Sequence, residues 1–335
     1  MDGEISSSLL CLHLFSFVRK IKKGFMAKLK VVVTGGAGFI GSHVVEHWLN
    51  EGAEVHIIDN LRSGFLSNVK LFPEAIFHNI SVTERDKVFK VLEGTDYVHH
   101  LAALISVPES VEKPKECVDI NINGLLNVLD ASKEFGVKKI VFSSSAAVYG
   151  DNPISPKTID MKPQPKSPYG ITKLDGEYYL QMYHDICDIG AVSLRYFNVF
   201  GPRQDPKSQY AAAIPIFIER AVKNEPIIIY GDGQQTRDFI YVKDVVKLNV
   251  LAATNKNVNG VFNVGLGKSI SINDIALEII KRTSSKSEII YKDERAGDIK
   301  HSLASINETK EQFSFSADFS LADGLEETIK YFTSI

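Results

Sequence analysis

The apolar run Val31-Val32-Val33, bounded by Lys28 and Lys30, gives way to Gly35-Gly36-Ala37-Gly38. Phe39, Ile40, Val44, Val45, Trp48 and Leu49 then recur at helical spacing. That pattern predicts strand, tight turn and helix. Apolar strands are expected next at 54–58, 75–80, 97–101 and 139–143, with helices through Asp86, Val88, Phe89 and Leu92 and over roughly 114–135. Prolines 153, 156, 163, 165 and 168 mark a long loop; Tyr169 then opens a helix to about Cys187, and 191–196 reads as a sixth strand. The stretch 201–238 is loop-rich, with a helix at 214–223 and a strand at 227–230, and 239–254 and 261–264 read as sheet and helix again. The alternation predicts an α/β chain: a doubly wound parallel sheet (Rossmann) with a smaller C-terminal α+β region.

Composition adds little to this. At 335 residues, 44% apolar and 24% charged, the chain resembles an ordinary globular protein, and a net charge of −3 gives no basic footprint for nucleic acid. Cys11, Cys117 and Cys187 are widely spaced, which suits a reducing cytoplasm better than a disulfide framework or a zinc site. Ile5 to Val18 is apolar and is followed by basic residues 19–23, the reverse of a signal peptide's order, and it is too short to span a bilayer. Residues 1–25 are therefore expected to lie outside the fold, translated from an upstream start, with a weak amphipathic membrane contact as the alternative.

The first candidate chemistry is the glycine turn. Gly35, Gly38 and Gly41 at a strand-to-helix junction permit close approach to a pyrophosphate, which the helix N-terminus attracts. Asp59 closes the second strand eighteen residues past Gly41, where a carboxylate can bind a ribose diol and repel a 2′-phosphate. A dinucleotide site follows, with NAD favoured over NADP. Residues 26–198, with 239–265 returning to them, are expected to form the NAD-binding domain and 199–335 a substrate domain. His43-Val44-Val45-Glu46-His47 fits a zinc-peptidase pattern, but on the first turns of the cofactor helix a metal would exclude the phosphate, so no metal is expected.

Tyr169 and Lys173 stand at i and i+4, on one face of the predicted helix. A phenol ordinarily titrates near about 10; a neighbouring ammonium and a bound nicotinamide cation would favour tyrosinate and lower that value. Tyrosinate could then take a sugar hydroxyl's proton as hydride leaves the carbon for NAD. Ser145, ending the preceding strand, could offer its hydroxyl to the same oxygen.

The segments T-G-G-A-G-F-I-G-S, H-L-A-A, S-S-S-A-A-V-Y-G, Y-G-I-T-K and L-R-Y-F-N-V-F-G-P-R-Q-D-P, spread over nearly the whole chain from Met26, resemble the extended short-chain dehydrogenase/reductases, and within them the UDP-hexose 4-epimerases. The resemblance implies a tightly held NAD, a 4-keto sugar that turns over in its pocket, and a homodimer through helices near 114–135 and 169–187. It implies Tyr169 as acid/base, Lys173 as its tuner and ribose ligand, and Ser145 as hydroxyl partner. Implied cofactor contacts are Phe39 and Ile40 in the glycine turn, Asn60, Ser63 and Gly64 after Asp59, Asn79 and Ile80 beside the adenine, Leu101, Ala102 and Ala103, Asn121, and Tyr196. Asn79 stands where the family usually has aspartate. Asn198, Arg237, Arg295 and Asp298 resemble the uridine diphosphate clamp, and Ser106 and Gln204 match positions near the sugar.

Ser302 falls four residues after Asp298, where epimerases restricted to glucose and galactose carry tyrosine. The small side chain implies room for a C2 acetamido group, hence UDP-GlcNAc/UDP-GalNAc, with the non-acetylated pair as well. The runner-up readings are a UDP-uronate 4-epimerase, a decarboxylase, a dehydratase and a non-catalytic NAD-sensing protein. Ser145-Ala146-Ala147 lacks the acidic residues of the dehydratases, and a sensor need not keep Ser145, Tyr169 and Lys173 together.

Overall fold

The computed structural model describes residues 28–206, 212–294 and 300–334. Its large sheet has seven strands in the order β10-β6-β5-β4-β1-β2-β3. These are β1 (Lys30–Thr34), β2 (Glu54–Ile58), β3 (Ile76–His78), β4 (Tyr97–His100), β5 (Lys139–Ser145), β6 (Gly190–Tyr196) and β10 (Gly260–Val264). Every pairing is parallel. Val31 and Val33 point into one core layer and Val32 into the other, so β1 is buried on both faces, which is why it reads as an unbroken apolar run.

One face is covered by α1 (Phe39–Asn50) and α9 (Val242–Thr254); the other carries α3 (Arg85–Leu92), α6 (Gly124–Glu134) and α7 (Pro168–Cys187). Two small sheets complete the C-terminal region. In one, β9 (Thr236–Tyr241) lies between β7 (Asn198–Phe200) and β11 (Ser269–Ser271); in the other, β8 (Ile227–Tyr230) pairs with β12 (Ile289–Lys292). Helices α8 (Ala213–Val222), α10 (Ile272–Thr283), α11 (Asn307–Phe313) and α12 (Leu321–Ser334) pack around them.

Several predicted elements change. The helix expected over 114–135 is three pieces: α5 (Pro114–Val118), a π-helical turn (Asp119–Asn123) and α6. The wide turn re-aims Asn121 inward, where it is buried. Two short helices, α2 (Leu66–Lys70) and α4 (Val107–Glu112), occupy stretches with too few turns to show a period. Strand β3 is shorter than 75–80, and the strand read from 239 begins at Thr236. Among the described residues no helix is long and apolar enough to cross a membrane.

Candidate functional site

Strand order reverses at β1, between β4 and β2, and a crevice opens at the carboxyl ends of the strands there. The glycine turn forms its floor. Gly35 has φ +72°, and a Cβ on it would stand 2.8 Å from the Ala102 nitrogen; one on Gly41 would stand 2.1 Å from the Gly35 oxygen. No side chain caps α1, so the first-turn N–H groups remain for a ligand. Asp59 braces the turn: Oδ2 accepts from the Ala37 nitrogen at 3.0 Å and Oδ1 from the Leu61 nitrogen at 2.8 Å. Burial raises its carboxyl above the ordinary value, against those two bonds.

The cleft has a volume of about 320 Å³. It brings together Gly35, Gly38, Phe39, Ile40, Gly41, Asp59, Asn60, Ser63, Ile80, Leu101, Ala102, Ala103, Ser145, Tyr169, Lys173, Tyr196 and Gln204 from the residues predicted by sequence. Arg62, Ser81, Val82, Ile105, Phe197 and Val199 also line it, and sequence reasoning missed them. An elongated, mostly apolar crevice with a glycine-floored anion site at one end, a carboxylate beside it and a phenol–ammonium pair at the other fits a nicotinamide dinucleotide.

Three predicted cofactor contacts stand off the cleft wall. Gly64 lies behind Asp59, where a Cβ would be 2.9 Å from Oδ2; Asn79 is exposed. Asn121 spends its amide inside the protein: Oδ1 accepts from the Leu104 nitrogen at 2.7 Å, and Nδ2 donates to the Leu104 oxygen and to Thr172 Oγ1. Its role is to hold the 101–105 wall and α7 together. Ser106 also differs from expectation, since its hydroxyl caps α4 by accepting from the Glu109 nitrogen at 3.1 Å.

The reacting end is built by β5 and α7. Ser167 caps α7 by accepting from the Gly170 nitrogen, and Pro168 fixes its first turn, placing Tyr169 against the end of β5. The Ser145 hydroxyl, which accepts from the Ala147 nitrogen at 3.2 Å, stands beside the Tyr169 phenol and favours its ionised form. Lys173 Nζ donates to the Ser143 carbonyl at 2.7 Å and lies 5.7 Å from the Tyr169 ring centroid and 4.9 Å from that of Phe142.

Burial raises the Tyr169 phenol above its ordinary value, outweighing the favourable Ser145 contact; the lowering expected above belongs to the site with the nicotinamide cation in place. Burial also brings Lys173 down to about 8. Its cation lies beside the phenol ring and is committed to a carbonyl, so most of the stabilisation of tyrosinate is left to the cofactor's positive charge. A pH dependence follows. The Lys173 cation is lost as pH rises through about 8, so kcat should fall on that alkaline limb, and in Lys173→Arg, which stays charged, the limb should move upward. A kcat–pH profile of both proteins checks this; superimposed limbs would contradict it.

The zinc-like pattern has a different job. Arg203 donates to His43 Nδ1 at 2.7 Å and to Glu46, while His43 Nε2–H donates to the Pro202 oxygen at 3.0 Å. The guanidinium can only donate, which fixes this tautomer, and burial keeps the imidazole neutral. Helix α1 is thereby strapped to the 201–204 loop. Among the described residues no group of three potential ligands could hold a metal.

A second cleft of about 340 Å³ abuts the first across β7: Val199 lines the cofactor crevice, and Asn198 lines the second cleft with Arg220, Tyr230, Arg237 and Phe239. Gln204 donates to the Val199 oxygen, and its buried Oε1 faces no protein donor. Ser302 is half-buried beside β9, its nitrogen donating to the Thr236 oxygen, and lines neither cleft. Arg295 and Asp298 lie outside the described residues.

Residues 31–265 match the NAD dependent epimerase/dehydratase family. The chain belongs to that family. As an NAD-dependent epimerase/dehydratase, it is 46% identical to a UDP-N-acetylglucosamine 4-epimerase from Methanobrevibacter ruminantium solved with UDP-N-acetylmuramic acid (92% of this chain, 99% of that one, TM-score 0.88). It is 34% identical to a UDP-glucose 4-epimerase from Thermus thermophilus solved with NAD (91% and 99%, TM-score 0.84). A UDP-glucose 4-epimerase from Mycolicibacterium smegmatis is 33% identical over 309 residues, 91% of this chain and 98% of that protein. The epimerase/dehydratase cofactor, NAD, is the group the first cleft fits.

Proposed function

We propose that this NAD-dependent UDP-sugar 4-epimerase interconverts UDP-N-acetylglucosamine and UDP-N-acetylgalactosamine, and also accepts the UDP-glucose/UDP-galactose pair. The observation that carries the epimerase reading is the Ser145–Tyr169–Lys173 group at the inner end of the cofactor cleft, one strand away from a cleft that holds Asn198 and Arg237. In this reading 26–198 with 239–265 serves the cofactor, and the remaining C-terminal residues hold the nucleotide sugar.

The Tyr169 phenolate accepts the 4-hydroxyl proton, with the Ser145 hydroxyl donating to the same sugar oxygen. NAD, held by the glycine turn and Asp59, would supply the reversible hydride acceptor that exchange of configuration at C4 needs. Lys173 holds the end of β5 through Ser143 and contributes charge below its titration. The Arg237 guanidinium, held at Nη1 by the Thr236 oxygen at 2.9 Å, faces the second cleft as the cation for the diphosphate. Gln204 offers a desolvated acceptor to a sugar hydroxyl or amide N–H.

The preference for the acetylated substrate rests on Ser302. Forcing a tyrosine ring against the acetamido group should cost about 1–3 kcal/mol, roughly 5- to 150-fold in kcat/KM. Ser302→Tyr should therefore lose turnover of UDP-N-acetylglucosamine and spare UDP-glucose in parallel assays. Equal loss on both substrates would contradict the pocket reading.

The reading includes a homodimer. Ile171, Tyr178, Met182 and Ile186 form an exposed apolar stripe along α7, with Val111 and Val118 exposed on the neighbouring α4 and α5. Ile186 is 74% exposed, so Ile186→Asp should leave the fold intact and halve the mass seen by light scattering. An unchanged mass would place any interface elsewhere. A reducing, cytoplasmic setting agrees with the free thiols of Cys117 and Cys187.

A further inference from the structure

The loop after Asp59 carries Arg62, which lines the cofactor cleft beside Asp59, Asn60 and Ser63. From the far side, α4 and α5 reach it with two carboxylates. Arg62 Nη2 donates to Glu109 Oε1 at 2.8 Å and Nη1 to Glu116 Oε1 at 2.5 Å. Lys113 lies near the same two carboxylates, at 3.3 and 3.9 Å.

An arginine next to the ribose-binding carboxylate is the residue type that accepts a 2′-phosphate, because its planar fork pairs two phosphate oxygens at once. Here both terminal nitrogens are already taken by carboxylates. Asp59 by itself is a modest deterrent, since each of its oxygens is engaged by a backbone N–H. With Glu109 and Glu116 present, three carboxylates at this rim outnumber two cations; without their charge, two cations outnumber one carboxylate. All three side chains of the bridge are about one-third exposed. Ion pairs so placed contribute little to folding, so their charges can be removed without unfolding the protein.

We propose that Glu109 and Glu116 are specificity-determining residues: by occupying both arms of Arg62 they keep the cleft selective for NAD over its 2′-phosphorylated form. This rests on the assignment of the cleft to the nicotinamide dinucleotide. Asp59 marks the ribose, and the pair across the cleft disarms the cation that would otherwise override it. Separations of 47 and 54 residues from Arg62 hide the bridge from any local motif.

The test is competitive loading. The purified protein is equilibrated by dialysis with equal NAD and NADP, freed of unbound nucleotide, denatured in acid, and the released cofactors are quantified by chromatography. The wild type should release NAD. Glu109→Gln/Glu116→Gln should raise the NADP:NAD ratio about tenfold or more, the effect of one gained phosphate–guanidinium contact. Adding Arg62→Ala to that variant should return the ratio to the wild-type value. An unchanged ratio in the double variant, or a rise that survives loss of Arg62, overturns the proposal while leaving the NAD site intact. A wild type that takes up neither nucleotide overturns the cofactor assignment itself, and the selectivity proposal with it. Glu116→Gln alone, freeing one arm, gives an independent reading through a smaller rise.

Discussion

Tyr169→Phe should lower kcat by about 10³-fold, within the range lost when a positioned acid/base is removed, while the protein keeps its bound NAD. Phenylalanine preserves the ring beside Lys173 and the packing at the start of α7, and removes only the phenol oxygen beside Ser145. Because burial holds the phenol above its ordinary value, its ionisation depends on the loaded site. The lost activity should therefore not return at high pH, where Lys173 is also neutral. Steady-state assays with extraction of bound nucleotide separate the two effects. A variant that keeps more than about a tenth of wild-type kcat would remove Tyr169 from the acid/base role, a margin well outside the expected range.

The largest stability effect is expected about two turns further along α7. Glu177 and Arg195 are a buried pair: Arg195 Nε and Nη2 donate to the two carboxylate oxygens at 2.8 and 2.7 Å, and Ser144 Oγ donates to the first at 2.5 Å. Arg195 Nη1 donates to the Tyr149 hydroxyl, which donates to Asn263 Oδ1, whose amide reaches the Lys157 oxygen. One network thus joins the catalytic helix, the end of β5 and strand β10. Arg195→Met leaves a buried carboxylate unpaired and should cost about 3–5 kcal/mol. Adding Glu177→Met should recover most of it, because well-packed apolar replacements of a buried pair are often neutral. Denaturant titration of both variants checks this; a single variant as stable as wild type would show that water or a rearrangement satisfies Glu177.

What the sequence made legible was local chemistry. The glycine turn, Asp59 and the Tyr169–Lys173 pair each depend on neighbours within one strand-turn-helix unit or one helical turn, so their spacing carries their geometry. Ser145 and Tyr196 become neighbours only through the register of β5 and β6, yet both stand at strand ends, which the alternation of elements locates. Three things stayed hidden. The burial of Asn121 and its bonds to Leu104 were hidden because nothing in its neighbourhood signals the π turn that carries it. The burial that raises the Tyr169 phenol was hidden because spacing gives proximity to Lys173 and says nothing of desolvation. The Arg62 bridge and the strap from Arg203 to His43 and Glu46 join distant segments, so the second of these looked like a metal motif. Ser302 lines neither cleft, and its influence on the sugar rests on its position in the chain after Asp298.

The most direct measurement is to incubate the purified protein, with no nucleotide added, with UDP-N-acetylglucosamine and separately with UDP-glucose, following the anomeric protons by NMR. Retained NAD and the Ser145–Tyr169–Lys173 group predict the appearance of UDP-N-acetylgalactosamine in the first tube and UDP-galactose in the second. Conversion of UDP-glucose alone would keep the epimerase and refute the wide pocket. No conversion in either tube, even with NAD supplied, would contradict the account.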